Sequence, residues 1–385
     1  MKFEFATATR IIFGAGKLHG IGTLAAESGK RALVVTGRDA SRAANLLGLL
    51  RDAGLGTTTF SVAGEPEIST VESGVALAKK ENCDFIVGFG GGSALDTAKA
   101  IAAMLANDGN LLDYLEIIGC GKPLTKPSAP FIAIPTTAGT GSEVTRNAVL
   151  VSPKDDLKVS LRSPFMLAKI ALIDSELTCD LPPAITAGTG MDALTQLVEP
   201  FVCLRANPMT DCLCMEGLDR AARSLRIAFH DGKNKSARED MALASLLGGL
   251  ALANAGLGAV HGFAGAIGGM FARTPHGAIC AALLPHVMRA NINALCQRDR
   301  QTRALARYEH VARICTGDDR ASADAGVDWV HRLVQELQIP RLGIYGVKSE
   351  HVEELVRKAS QANSMRANPI TLTTEELSET LRQAL

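Results

Sequence analysis

Asp192 and Gln196 stand four residues apart in MDALTQLVEP (191–200), with Glu199 close behind. If that stretch is helical, the carboxylate and the amide share one face, one turn apart. His261 and His276 flank the glycine-rich GFAGAIGGMFARTP, an apolar setting in which an imidazole needs a partner. With Asp192 they make a two-histidine, one-carboxylate set, which recurs around Fe(II) and related divalent metals. Either histidine alone reads more simply as a hydrogen-bonded core residue, and spacing does not show that the three converge. His19, His230, His310, His331 and His351 lie in charged or polar stretches and read as surface residues, and His286 as a core or cap histidine.

A second chemistry is suggested by glycine. GFGGGSALD (88–96) joins an apolar run to a helical one, where backbone N–H groups and a helix N-terminus can hold a pyrophosphate. It lacks the third glycine of G-x-G-x-x-G, since Ser93 takes that place, and it has no P-loop lysine. A tight structural turn explains such a loop almost as well. TTAGTGS (136–142) also follows a strand-like run, so two small-residue loops can line one crevice.

The elements that must position these residues change character along the chain. RALVVTG (31–37), TTTFSV (57–62), DFIVGFGGGS (84–93) and PFIAIPTTAGTGSEVT (130–145) read as strands alternating with helices over 40–54, 69–83 and 94–105. That rhythm means βαβ units and a mainly parallel sheet. MKFEFATATRIIFG (1–14) alternates like a further strand. Ser69 and Glu72 have the spacing of a capping box, as do Thr373 and Glu376. After AKIALIDSEL (168–177) strand-like runs vanish, Pro182 and Pro183 mark a hinge, and helices follow to the end. The expected organisation is an α/β domain over 1–177 and an all-α domain over 178–385.

Composition narrows the class. Hydrophobic residues make up 47% and charged residues 21% of 385, which fits a folded globular chain. Lys+Arg and Asp+Glu are 40 each, so neither nucleic acid nor an acidic membrane is the expected partner. Nine scattered cysteines without a C-x-x-C pair read as reduced, mostly buried thiols of a cytoplasmic protein. The Ala/Gly/Leu-rich residues 241–271, interrupted by Asn254 and His261, read as a buried helical core and not a membrane span.

Taken together, GGGSALDTAKAIA (90–102), IPTTAGTGSEVT (134–145), ALIDSELT (171–178), TGMDALTQLVEP (189–200), HGFAGAIGG with TPHGAICAALLPHVMRAN (261–291) and NPITLTTEEL (368–377) resemble the iron-containing, or group III, alcohol dehydrogenase family. The resemblance implies a Rossmann-like dinucleotide-binding domain followed by a helical domain, the dehydroquinate synthase-like fold, with the active site in the cleft between them. It implies that Gly90, Gly91, Gly92, Ser93 and Asp96 contact the cofactor pyrophosphate and ribose. Thr136, Thr137 and Ser142 would border the cofactor, with Lys158 near the nicotinamide. Asp192, His261 and His276 match three of the family's four metal ligands and would carry the catalysis. A homodimer acting on a small alcohol or aldehyde is the implied assembly and substrate class.

Three departures stand out. The second ligand of the family is a histidine, and here it is Gln196, whose neutral amide oxygen suits hard cations. Many members carry a histidine four residues after the third ligand, where Gly265 stands. An acidic residue ends the second strand in NAD-preferring members, and here Gly37 and Arg38 take that place, which favours NADP(H) over NAD(H), with Asp39 close by. The expected cofactors are NAD(P) and a divalent metal, Fe(II) or Zn(II), with Gln196 as a fourth or outer ligand. The alternatives are a metal-independent oxo-acid reductase of the maleylacetate type, using a histidine as acid–base, an NAD-using lyase on the same fold, and a module that binds cofactor without turnover.

Overall fold

The computed structural model describes residues 2–385, which divide into two compact units. The first comprises Ala6–Thr137 and Gly141–Thr178, the second Cys179–Leu385 with residues 2–5 and Ala138–Thr140.

In the first unit, β1 (Arg10–Phe13), β2 (Arg31–Thr36), β3 (Gly56–Ser61), β4 (Phe85–Gly90), β5 (Phe131–Pro135) and β8 (Ile170–Ile173) form one sheet in the order β1-β8-β5-β4-β2-β3. All its pairings are parallel. Buried on both faces, β4 and β5 read as continuous apolar runs, whereas edge strand β3 carries three threonines and stays half-exposed. Strand order reverses at β2 and β4, so the loops after these strands meet at a topological switch point. Helices α1 (Ile21–Ala26), α2 (Ala44–Asp52), α3 (Ile68–Lys80), α4 (Gly92–Ala106) and the short α5 (Leu111–Tyr114) complete the unit.

Three local expectations differ from the structure. Residues 2–8 form no strand, and β1 is confined to Arg10–Phe13. Helix α3 starts at Ile68 behind Glu67, so Ser69 and Glu72 lie inside its first turns and make no capping box. Between β5 and β8 an antiparallel hairpin intervenes, β6 (Asn147–Ser152) with β7 (Leu157–Arg162).

The second unit is a helical assembly: α6 (Pro183–Val202), α7 (Pro208–His230), α8 (Lys235–Asn254), α9 (Ala259–Met270), α10 (His276–Arg298), α11 (Arg303–Thr316), α12 (Ala323–Glu336), α13 (Val352–Ser360) and α14 (Thr374–Gln383). Pro183 opens α6 at a position where its missing N–H costs nothing. The Thr373–Glu376 capping box forms at α14. Helix α10 is long and apolar enough to cross a membrane by length and composition, yet most of it is buried inside this unit. Helices α8 and α9 bend by 95° about the break that precedes His261.

Candidate active site

At the switch point of the sheet, glycine is required by closeness. A Cβ on Gly90 would lie 3.4 Å from the Gly37 nitrogen and 2.7 Å from the Ala94 Cβ, and one on Gly91 would lie 3.3 Å from Thr137. Gly37, Gly90, Gly91 and Thr137 are therefore neighbours, and Gly92 and Ser93 begin α4. That helix has fifteen residues, and its N-cap, Gly91, offers no side chain to its first amides. Those N–H groups and the positive end of the helix are the features that bind a pyrophosphate. Arg38 donates to the Ala63 carbonyl at 3.0 Å, and the Asp39 carboxylate accepts from the amide and the hydroxyl of Ser41.

Three other residues expected at the cofactor are engaged by the protein itself. Asp96 accepts from Ser142 Oγ through one oxygen and from the Val149 amide at 2.9 Å through the other. Lys99, 1% exposed, donates to Ser142 Oγ at 3.0 Å, Thr145 Oγ1 at 2.9 Å and the Asn147 carbonyl at 2.7 Å. The cluster staples the segment after Thr140 onto α4, so Asp96 and Ser142 are positioned to hold the loop. Lys158, on β7, pairs with Glu65 at 2.8 Å. Thr136 is buried at the end of β5.

In the helical unit Asp192, Gln196 and Glu199 occupy successive turns of α6, as the spacing requires, and all three are buried. His276 opens α10, and glycine brings it there: a Cβ on Gly277 would lie 2.2 Å from the Gly188 carbonyl, so only glycine lets the start of α10 rest on the backbone of α6. His261 sits in the first turn of α9. The free amides of that turn are satisfied from elsewhere, Val260 N–H by Glu199 Oε1 at 2.8 Å and Ala259 N–H by Asn368 Oδ1 at 3.1 Å. Gly258 makes this possible, since its Cβ would stand 2.8 Å from Glu199 Oε1.

Asp192, His261 and His276 do converge, and a fourth group joins them. Asp192 Oδ1 lies 3.5 Å from His261 Nε2 and 3.6 Å from His276 Nε2. Cys280 Sγ lies 3.6 Å from His276 Nε2 and 3.9 Å from His261 Nε2. Ligand atoms of the four residues all fall within 4.8 Å of one another. Glu199 Oε2 takes the Nδ1 proton of His261 at 2.6 Å, which turns a bare Nε2 toward the cluster. Asp192 Oδ1 and Gln196 Oε1 are buried and have no hydrogen-bond partner. Burial depresses both imidazoles, but Cys280 and Asp192 more than compensate, holding His276 above its ordinary range and, with Glu199, His261 well above it. Burial likewise raises Asp192 and Cys280, and the two histidines reverse it, leaving both acids lowered. Two imidazole nitrogens, a buried cysteine sulfur and an orphan carboxylate oxygen around one point fit a divalent cation.

Two members of this site were not foreseen in these roles. Cys280 was read with the inert thiols, although its place one turn after His276 was visible in HGAIC. Glu199 was noted as a neighbour, but nothing in sequence joins it to His261, sixty-two residues on. Gly265 has open space beside it, with nothing within 4 Å of a would-be Cβ.

A parallel sheet with a glycine switch point in one unit and a carboxylate–imidazole cluster in the other suit a dinucleotide and a divalent cation. Comparison with known proteins gives the family. The profile described as iron-containing alcohol dehydrogenase matches residues 8–175, and its C-terminal counterpart matches residues 186–385. The chain is 39% identical to alcohol dehydrogenase 4 of Schizosaccharomyces pombe over 321 residues, covering 83% of this chain and 73% of that one. It is 37% identical to 1,3-propanediol dehydrogenase of Klebsiella pneumoniae, covering 92% of each. A crystal structure of 1,3-propanediol oxidoreductase superposes with a TM-score of 0.91 at 34% identity over the full length of both chains. The chain belongs to the iron-containing alcohol dehydrogenase family. It is an NAD(P)-dependent oxidoreductase of CH–OH groups, interconverting small alcohols and aldehydes, and the family implies a divalent metal.

Proposed function

We propose that the alcohol–aldehyde interconversion runs with Fe(II) or Zn(II) held by Asp192, His261 and His276, the Gln196 amide oxygen beside them. The observation that carries this reading is the buried Asp192 Oδ1, left without a hydrogen-bond partner 3.5 and 3.6 Å from two imidazoles, with the Gln196 Oε1 one turn on equally unpartnered. A bound cation supplies Lewis-acid polarisation of the alcohol or carbonyl oxygen. The chain's residues do the rest. Glu199 fixes the tautomer of His261, and the Gly188–Gly277 contact fixes the place of His276. Gly90, Gly91, Gly92 and Ser93 receive the pyrophosphate at the start of α4, with Thr136 and Thr137 bordering the cofactor. A bound nicotinamide would supply the hydride donor or acceptor, so the protein's task is to align the substrate carbon with it. With Gly265 where an imidazole would relay protons, exchange runs through water or the cofactor ribose.

The reading extends to NADPH as the preferred cofactor, because Gly37 ends β2 without a carboxylate, Arg38 stands next to it, and Asp39 is spent on Ser41. Arg38→Ala then raises KM for NADPH and leaves that for NADH unchanged. A homodimer in the cytoplasm, acting on a short primary alcohol such as the diol named for the Klebsiella relative, completes the proposal. Metal analysis decides it: activity is lost on chelation and restored by Fe(II) or Zn(II). Full turnover by metal-free protein overturns it.

A further inference from the structure

We infer that Cys280 is a metal ligand of this chain, supplying a thiolate that replaces Gln196 as the fourth donor and directs the site toward zinc. The inference rests on the metal-assisted reading above. Cys280 follows His276 by one turn of α10, so both side chains project from the same helical face. Its side chain is fully buried, and its two contacts within hydrogen-bonding reach are both to ring nitrogens.

The separations are those of donors around a single ion. Bonds of about 2.0–2.1 Å to nitrogen or oxygen and about 2.3 Å to sulfur, at tetrahedral angles, put N···O pairs roughly 3.4 Å and N···S pairs roughly 3.6 Å apart. The observed N···O distances are 3.5 and 3.6 Å, and the N···S distances are 3.6 and 3.9 Å. The unpartnered Asp192 Oδ1, 2% exposed, points to the same ligand independently of the cysteine. A set of one carboxylate, two imidazoles and one thiolate suits Zn(II) and Co(II), whereas magnesium and manganese prefer oxygen-rich sites. Gln196 then needs only to lie beside the ion, and its neutral amide is no loss.

Cobalt tests the assignment without reference to turnover. The full-length protein is stripped with chelator, loaded with one equivalent of Co(II), and its near-ultraviolet spectrum recorded beside that of Cys280→Ser. A thiolate-to-cobalt charge-transfer band is expected in the wild type and absent in the variant, which still binds cobalt. Zinc affinity should fall at least about tenfold in the variant, the lower end of what even outer-shell losses cost, with magnesium binding unchanged. X-ray absorption on zinc-loaded wild type gives the same answer if the variant fails to fold, through one sulfur neighbour at about 2.3 Å. Stoichiometric metal with only nitrogen and oxygen neighbours overturns the role of Cys280 and leaves the metal-assisted reading standing. Failure to bind any divalent metal overturns both.

Discussion

The molecule holds two buried polar clusters that differ in whether the chain satisfies them. Around Lys99 every group is used: the ammonium has three oxygen acceptors besides Asp96, and both Asp96 oxygens accept from the protein. Around Asp192 the account does not close, because Oδ1 and the Gln196 oxygen face donors that the chain does not supply. A satisfied buried network rigidifies, while an unsatisfied one costs stability unless something external completes it. The difference separates a staple from a binding site.

Substitutions should break that symmetry. Asp192→Asn removes the anionic member of the open cluster; metal content should vanish and kcat/KM fall by about 10³-fold, since Lewis-acid assistance amounts to several kcal/mol. Lys99→Met does the reverse. Breaking the closed pair should cost about 3–5 kcal/mol in urea unfolding while the folded fraction keeps its full metal content. A Lys99→Met protein as stable as the parent would show that the staple carries no load.

Glu199→Gln is subtler. The amide can still accept from Val260 but no longer holds the His261 proton as an anion, so metal affinity should drop about 10–100-fold with little change in melting. Equal metal affinity in a titration would remove Glu199 from the site. A further effect concerns pH. Burial pushes the Glu143 carboxyl up to about 7, only partly offset by Lys99. The unfolded chain releases that proton near the ordinary value of 4.5, whereas the folded chain keeps it. The stability due to this group is therefore complete below 4.5, declines as pH rises toward about 7, and is level beyond. Glu143→Gln should flatten that decline in melts across the window, and an unchanged slope would refute it.

Much of this was legible from spacing. The strands around β2, β4 and β5, the glycine turn into α4, the proline start of α6 and the Asp192–Gln196 face follow from local periodicity and turn chemistry. Contacts that close the site are not local. His261 needs Glu199 from one helix and Asn368 from another segment, and His276 needs the backbone of Gly188. The β6–β7 hairpin was missed although β7, LKVSLR, alternates apolar and polar residues in period two, a signal the neighbouring glycine-rich loop overshadowed. Ser69 and Glu72 had the letters of a cap, but Glu67 already ends the extended chain two residues earlier. Asp96 and Ser142, assigned to the cofactor by resemblance, also hydrogen-bond to each other, a contact that nothing local in the sequence announces.

Asn368 holds the first amide of α9 through Oδ1, and Asn291 holds Asn368 in turn. The residue that seats His261 thus follows all the candidate ligands in synthesis, some ninety positions after Cys280. A nascent chain carrying Asp192, His261, His276 and Cys280 has the donors but not the frame, and metal capture becomes an event of completion. A chain ending before residue 368 would contain the whole ligand set and still fail to retain metal through gel filtration.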